Sequence, residues 1–120
     1  MTARAAVDLD RLVEFSDGTV EGTHALIRLF LEDIGETLEA LRVAVAGGNI
    51  AEAARLAHRA AGASGAMGAV PLSERLTALE DAGGAQDTGR VAPLMADVEA
   101  EVSRVRLVLT AYLDSRGHRG

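Results

Sequence analysis

The chain has 120 residues, enough for one domain, with 48% hydrophobic, 25% charged and only 2% aromatic side chains. It contains no Cys and no Lys, and its formal net charge is −6. These features exclude disulfides, thiolate metal sites and cysteine nucleophiles, and they argue against a surface that tracks nucleic-acid phosphates.

The 23 alanines, with Leu, Arg and Glu, favour helices over strands. A first short helix is predicted over about Asp8 to Phe15, where Leu9, Leu12 and Val13 recur at helical spacing, and Ser16-Asp17-Gly18 reads as a turn. A long helix follows from about Val20 to Ala46. Its stripe is Ile27, Phe30, Ile34, Leu38, Leu41 and Val45, in steps of three and four. Gly47-Gly48 ends it. Asn49 then caps the next helix, with Glu52 at the capping-box position. That helix carries a seam of small residues, Ala53, Ala57, Ala60 and Ser64, ending at Met67. Small side chains permit close helix approach, so larger residues on facing helices must fill the space.

Pro71 suits the first turn of a fourth helix with Leu72, Leu76 and Leu79 inside and Gly83-Gly84 at its end. The last helix is expected from about Gly89 to Leu113, capped by Asp87 or Thr88, with Pro93 as a competing boundary. Its stripe is Val91, Leu94, Val98, Val102, Val105, Leu109 and Tyr112. Residues 114–120 read as a loose polar tail. The predicted fold is therefore all-α, an antiparallel up-and-down four-helix bundle with a short extra N-terminal helix. It forms a single domain over residues 1–120 with its core at about 8–113.

Met1 to Leu12 lacks the apolar core of a signal peptide, and no apolar run approaches bilayer length, so a cytoplasmic location without membrane association is expected. Three histidines are present. His118 lies in the tail, and His24, near the start of the second helix, reads as a solvated surface residue. His58 stands in mid-helix, one residue after the core position Ala57, so it borders the apolar stripe. Gly62 is one turn further along the same face, where the missing side chain opens space beside the ring, and Arg55 and Arg59 flank the histidine. From spacing alone, two descriptions stand. His58 is a boundary histidine whose glycines serve tight packing, or it is a ring with room for another molecule. No carboxylate or second histidine lies at i+4, so no metal site is expected.

The string Ala57-His58-Arg59-Ala60-Ala61-Gly62-Ala63-Ser64-Gly65-Ala66-Met67-Gly68-Ala69 resembles the signature of histidine-containing phosphotransfer (HPt) domains. That signature has Ala-His, two residues, a basic residue, Gly, one residue, Ser and a closing Gly-Ala. Leu29 to Asp33, Gly48 to Ile50 and Leu76 to Glu80 resemble the family's neighbouring helices and turn, and the resemblance spans roughly residues 8–113. It implies the four-helix bundle read above and a phosphorelay carrier. His58 would accept a phosphoryl group from a receiver-domain aspartate and pass it to another receiver aspartate. Histidine suits this because an imidazole's ordinary pKa, about 6.5, leaves much of it a neutral nucleophile at pH 7.

The family carries Lys three residues after the histidine, supporting the phosphoryl group; here that position is Ala61, and the position before it is Ala60. Arg59 or Arg55 is the expected substitute, through several guanidinium donors. Gly62 is expected to act by steric permission. Ser64 and Gly68 are expected to be structural, with the serine hydroxyl bonding a carbonyl one turn back. The expected partners are response-regulator receivers and a hybrid histidine kinase, with no nucleic acid or membrane, and the chain is expected to be a monomer. Apolar docking residues are sought on the first two helices, with Leu12 and Leu31 as candidates, although for each of them packing into the bundle is the favoured reading. No cofactor of its own is expected; Mg²⁺ belongs to the receiver, and with no glycine-rich phosphate loop the chain should not phosphorylate itself. Two alternatives stand beside this. One is a phosphorylation-incompetent adaptor that binds receivers or kinases, to which Ala61 points. The other is an unrelated structural bundle in which His58 has no role.

Overall fold

A computed structural model describes residues 4–117. Five α-helices are described: α1 (Leu9–Phe15), α2 (Val20–Ala46), α3 (Ile50–Ala66), α4 (Val70–Gly84) and α5 (Thr88–Gly117). Three-residue connections separate α2 from α3, α3 from α4 and α4 from α5, so each helix returns beside its predecessor. α3 packs most extensively on α4, α4 on α5, and α2 on both α3 and α5, which closes a four-helix bundle; α1 touches α3.

Local chemistry sets the helix starts. The side chains of Asp8, Thr19 and Asn49 accept the backbone N–H groups of Arg11, Gly22 and Glu52, at 3.2, 2.9 and 3.2 Å. Only half of the predicted capping box forms. The Glu52 carboxylate turns away from Asn49 and holds Arg55, while the Asn49 N–H is satisfied by the Ala44 carbonyl. α4 begins with Pro71 in its first turn, as expected.

The seam on α3 is buried throughout, at Ala53, Ala57, Ala60, Ser64 and Met67. The larger residues it requires are Leu72, Leu76 and Leu79 from α4 and Ile27, Phe30 and Ile34 from α2. Each such side chain contributes about 1.5–3 kcal/mol on burial. Gly83 belongs to this packing: a Cβ there would stand 3.0 Å from the Ala54 Cβ, so its absence lets α4 approach α3.

α4 ends at Gly84, as expected, and the left-handed residue after it is Gln86, with φ 58°. Several other expectations are corrected. α5 starts at Thr88 and contains Pro93, because a proline in the second turn removes only one early hydrogen bond. α5 also continues to Gly117, so residues 114–117 are helical rather than a loose tail; His118 lies outside the described residues. On α2 the buried position near the C-terminus is Ala44, with Val45 only half-buried. His24 is buried rather than solvated. Its ring meets Tyr112 of α5 edge-on, with centroids 6.0 Å apart.

A short strap precedes α1 and ties it to the rest. Ala6 and Val7 are buried, and Asp8 donates its N–H to the Gly68 carbonyl at 2.8 Å. Arg4 pairs with Glu74 of α4 at 2.6 Å, and Arg104 of α5 donates to the Arg4 carbonyl. With Ala6 and Val7 buried, the core starts slightly before its expected limit at about residue 8.

Candidate phosphotransfer site

α3 carries His58 on its outer face, with 76% of the side chain exposed. Its Nδ1 lies 2.8 Å from Oε2 of Glu80 on α4. A carboxylate only accepts, so Nδ1 carries the proton. In the neutral ring the lone pair is then on Nε2. Sequence reasoning does not single out Glu80 as a site residue, although a signal for it exists. His58 follows the core residue Ala57 and Glu80 follows the core residue Leu79, so both stand at the border of the same α3–α4 contact.

Arg55, Ala54, Asp81 and Gly84 line an open cleft with His58 and Glu80. The Arg55 guanidinium is held by Glu52 through Nε–Oε1 at 2.6 Å and Nη2–Oε2 at 2.8 Å. Those bonds keep the Glu52 carboxyl below its ordinary range and raise Arg55 above its own. Arg59 is exposed, makes no ion pair among the described residues and does not line the cleft.

Gly62 is exposed, and a Cβ built there meets nothing within 4 Å. Helical side chains lean toward the N-terminus, so a larger residue at 62 would lie over His58. Ala61 is buried against α4, and its carbonyl accepts the Ser73 hydroxyl at 2.8 Å; a cation does not issue from that position. Gly68 ends α3 with φ 83°, and a Cβ there would stand 2.5 Å from the Asp8 carbonyl oxygen. Ser64 is fully buried on the seam, but its hydroxyl finds no partner among the described residues, so the expected bond to a carbonyl one turn back is not formed.

Of the two docking candidates from the sequence, both pack into the bundle, the reading favoured for each. Leu12 is fully buried, and Leu31 is half-buried against the core. Of the exposed apolar side chains on α1 and α2, which are Leu9, Phe15, Val20, Leu29 and Val43, two share one groove: Phe15, at 54%, and Leu29, at 65%. They line a groove with Leu26, Ala63, Ala66 and Met67, along the C-terminal half of the histidine helix. Among the described residues no group of three metal-ligating side chains comes together, and no helix is long and apolar enough to cross a membrane.

The bundle thus presents one exposed histidine, oriented by a carboxylate and one turn from a glycine. The Hpt domain family model matches residues 25–112, and the chain belongs to the histidine-containing phosphotransfer domain family. Its role is therefore histidine phosphotransfer in a phosphorelay, and HPt proteins work with receiver and kinase partners. Among solved structures, it is similar to histidine-containing phosphotransfer protein B (HptB) from Pseudomonas aeruginosa. The identity is 24% and the TM-score 0.87, over 94% of this chain and 98% of that one. The comparison with curated proteins returned no match.

Proposed function

We propose that His58 is the phosphoryl carrier, accepting the group on Nε2 from a receiver aspartyl phosphate and passing it to a second receiver aspartate. The observation that carries this reading is the Nδ1 contact to Glu80 on an otherwise exposed ring. The neutral imidazole attacks phosphorus through Nε2. The N–P bond forms as the aspartyl P–O bond breaks, and the aspartate leaves with the electron pair. The Nδ1 proton stays in place, and the Glu80 carboxylate faces the cationic ring that results. Phosphoryl transfer depends mainly on in-line positioning and charge stabilisation, and the receiver brings the Mg²⁺. Gly62 clears the approach, and the groove lined by Phe15 and Leu29 offers the partner an apolar seat.

The test is intact-mass analysis after mixing the protein with a phosphorylated receiver and Mg²⁺ at neutral pH, with His58→Gln in parallel. One acid-labile phosphoryl group on the wild type alone is the expected result. No gain from several receivers, with the protein folded and bound to them, would replace this reading with a binding-only adaptor, the role to which Ala61 points.

A further inference from the structure

The carrier reading leaves one chemical gap. A phosphoryl dianion on His58 sits beside Glu80 and Asp81, and the helix supplies no cation from position 61. Among the residues lining the cleft, Arg55 carries the one positive charge. We propose that Arg55 is the phosphoryl-binding residue of this site, and that Arg59 serves partner docking instead.

Helix geometry separates the two arginines. Arg55 lies about 60° around the axis from His58 and Arg59 about 100° away on the same side, past Arg55 and toward the apolar groove. A residue three positions before the histidine is its neighbour on the surface, at about 5–6 Å between Cβ atoms. The side chain of His58 also leans toward the N-terminus, over the turn that holds Arg55. Glu52 engages Nε and Nη2, which leaves both Nη1 hydrogens and one on Nη2 for a phosphoryl oxygen. The same two bonds fix the plane of the guanidinium, so little freedom is lost when the anion arrives. Arg59 stands on the side of Ala63 and Ala66, which line the groove with Phe15 and Leu29. There its charge meets a partner's surface rather than the transferred group.

This inference rests on His58 being the carrier, and the experiment separates the two claims. Phosphorylation is followed by rapid quench for the wild type, Arg55→Gln, Arg55→Lys and Arg59→Gln over a range of receiver concentrations, with helicity checked by circular dichroism. Arg55→Gln is expected to lower the rate at saturating receiver by about tenfold, with Arg55→Lys recovering part of it. Arg59→Gln is expected to raise the half-saturating receiver concentration and leave the saturated rate unchanged. A second readout is independent of transfer. In ³¹P titration of the phosphorylated protein, the last phosphoryl ionisation should move up by about half a pH unit in Arg55→Gln and stay put in Arg59→Gln. A wild type that accepts no phosphoryl group overturns the carrier reading. A wild type that accepts it with Arg55→Gln alike in rate and titration, or with the arginine effects exchanged, overturns this inference alone.

Discussion

Glu80 and His58 meet across the α3–α4 contact, Oε2 to Nδ1 at 2.8 Å, although 22 residues separate them in the chain. In the proposed transfer Glu80 would act on the nucleophile without touching the phosphoryl group, by holding the proton on Nδ1. Glu80→Ala removes that constraint and leaves the ring free to carry its proton on Nε2, where it blocks attack. The bond is partly exposed, so its loss is expected to slow phosphorylation by about three- to tenfold rather than abolish it. Imidazole ¹⁵N shifts should show a larger fraction of the Nε2–H tautomer. An unchanged tautomer with a slowed reaction would assign Glu80 a purely structural role.

Gly62 matters through what it leaves out. With nothing within 4 Å of a Cβ, Gly62→Ala costs no contact and replaces a poor helix former with the best one. It is expected to raise stability by about 0.5–1 kcal/mol. Gly62→Leu keeps the helix but lays a branched side chain over the ring. Transfer should fall by about tenfold or more while the circular dichroism spectrum is unchanged. Normal transfer in Gly62→Leu would show that the partner does not approach across this turn.

Gly68 is the opposite case. Its φ is 83°, and a Cβ added there would meet the Asp8 carbonyl oxygen at 2.5 Å, so no side chain fits. Gly68→Ala is expected to destabilise the fold by roughly 2–3 kcal/mol and lower Tm by about 10 °C. The strap and α1 should loosen first, because the Asp8 N–H loses its Gly68 acceptor. Hydrogen exchange at the Asp8 amide, compared between Gly68→Ala and Gly62→Ala, separates this local effect from a general response to glycine replacement.

What the sequence discloses follows from range. The bounds of α2 are legible because the Ser16-Asp17-Gly18 turn precedes it, Gly47-Gly48 follows it and the stripe from Ile27 to Leu41 stays in phase for several turns. The α3 seam and His58 at its border are legible for the same reason. His24 reads wrongly as a surface residue because its burial comes from Tyr112, some ninety residues away on the returning α5. Glu80 escapes notice for a similar reason: only the α3–α4 packing brings it to the histidine. The end of α5 is misplaced when Asp114 and Ser115 are weighed by polarity. Nothing there breaks a helix until Gly117. Leu12 and Leu29 show the same limit, since which leucine is buried and which is exposed depends on how the helices pack.

The exposed groove along the C-terminal half of α3 supplies the last prediction. Leu29 and Val43 are each 65% exposed on α2, yet they lie fourteen residues, about 21 Å, apart along the helix. Leu29 shares its groove with Phe15, Ala63 and Ala66, whereas Val43 lines a separate one with Glu39 and Leu56. Both are surface positions, so Leu29→Glu and Val43→Glu should each change stability by no more than about 0.5 kcal/mol. Receiver binding should respond to one of them only. A charge at Leu29 forces a desolvated carboxylate into an apolar contact and is expected to weaken the complex by about tenfold or more, measured by calorimetric titration. Val43→Glu should bind as the wild type does. Equal effects at the two positions would move the docking surface away from the groove of Phe15 and Leu29, and with it the docking role assigned to Arg59.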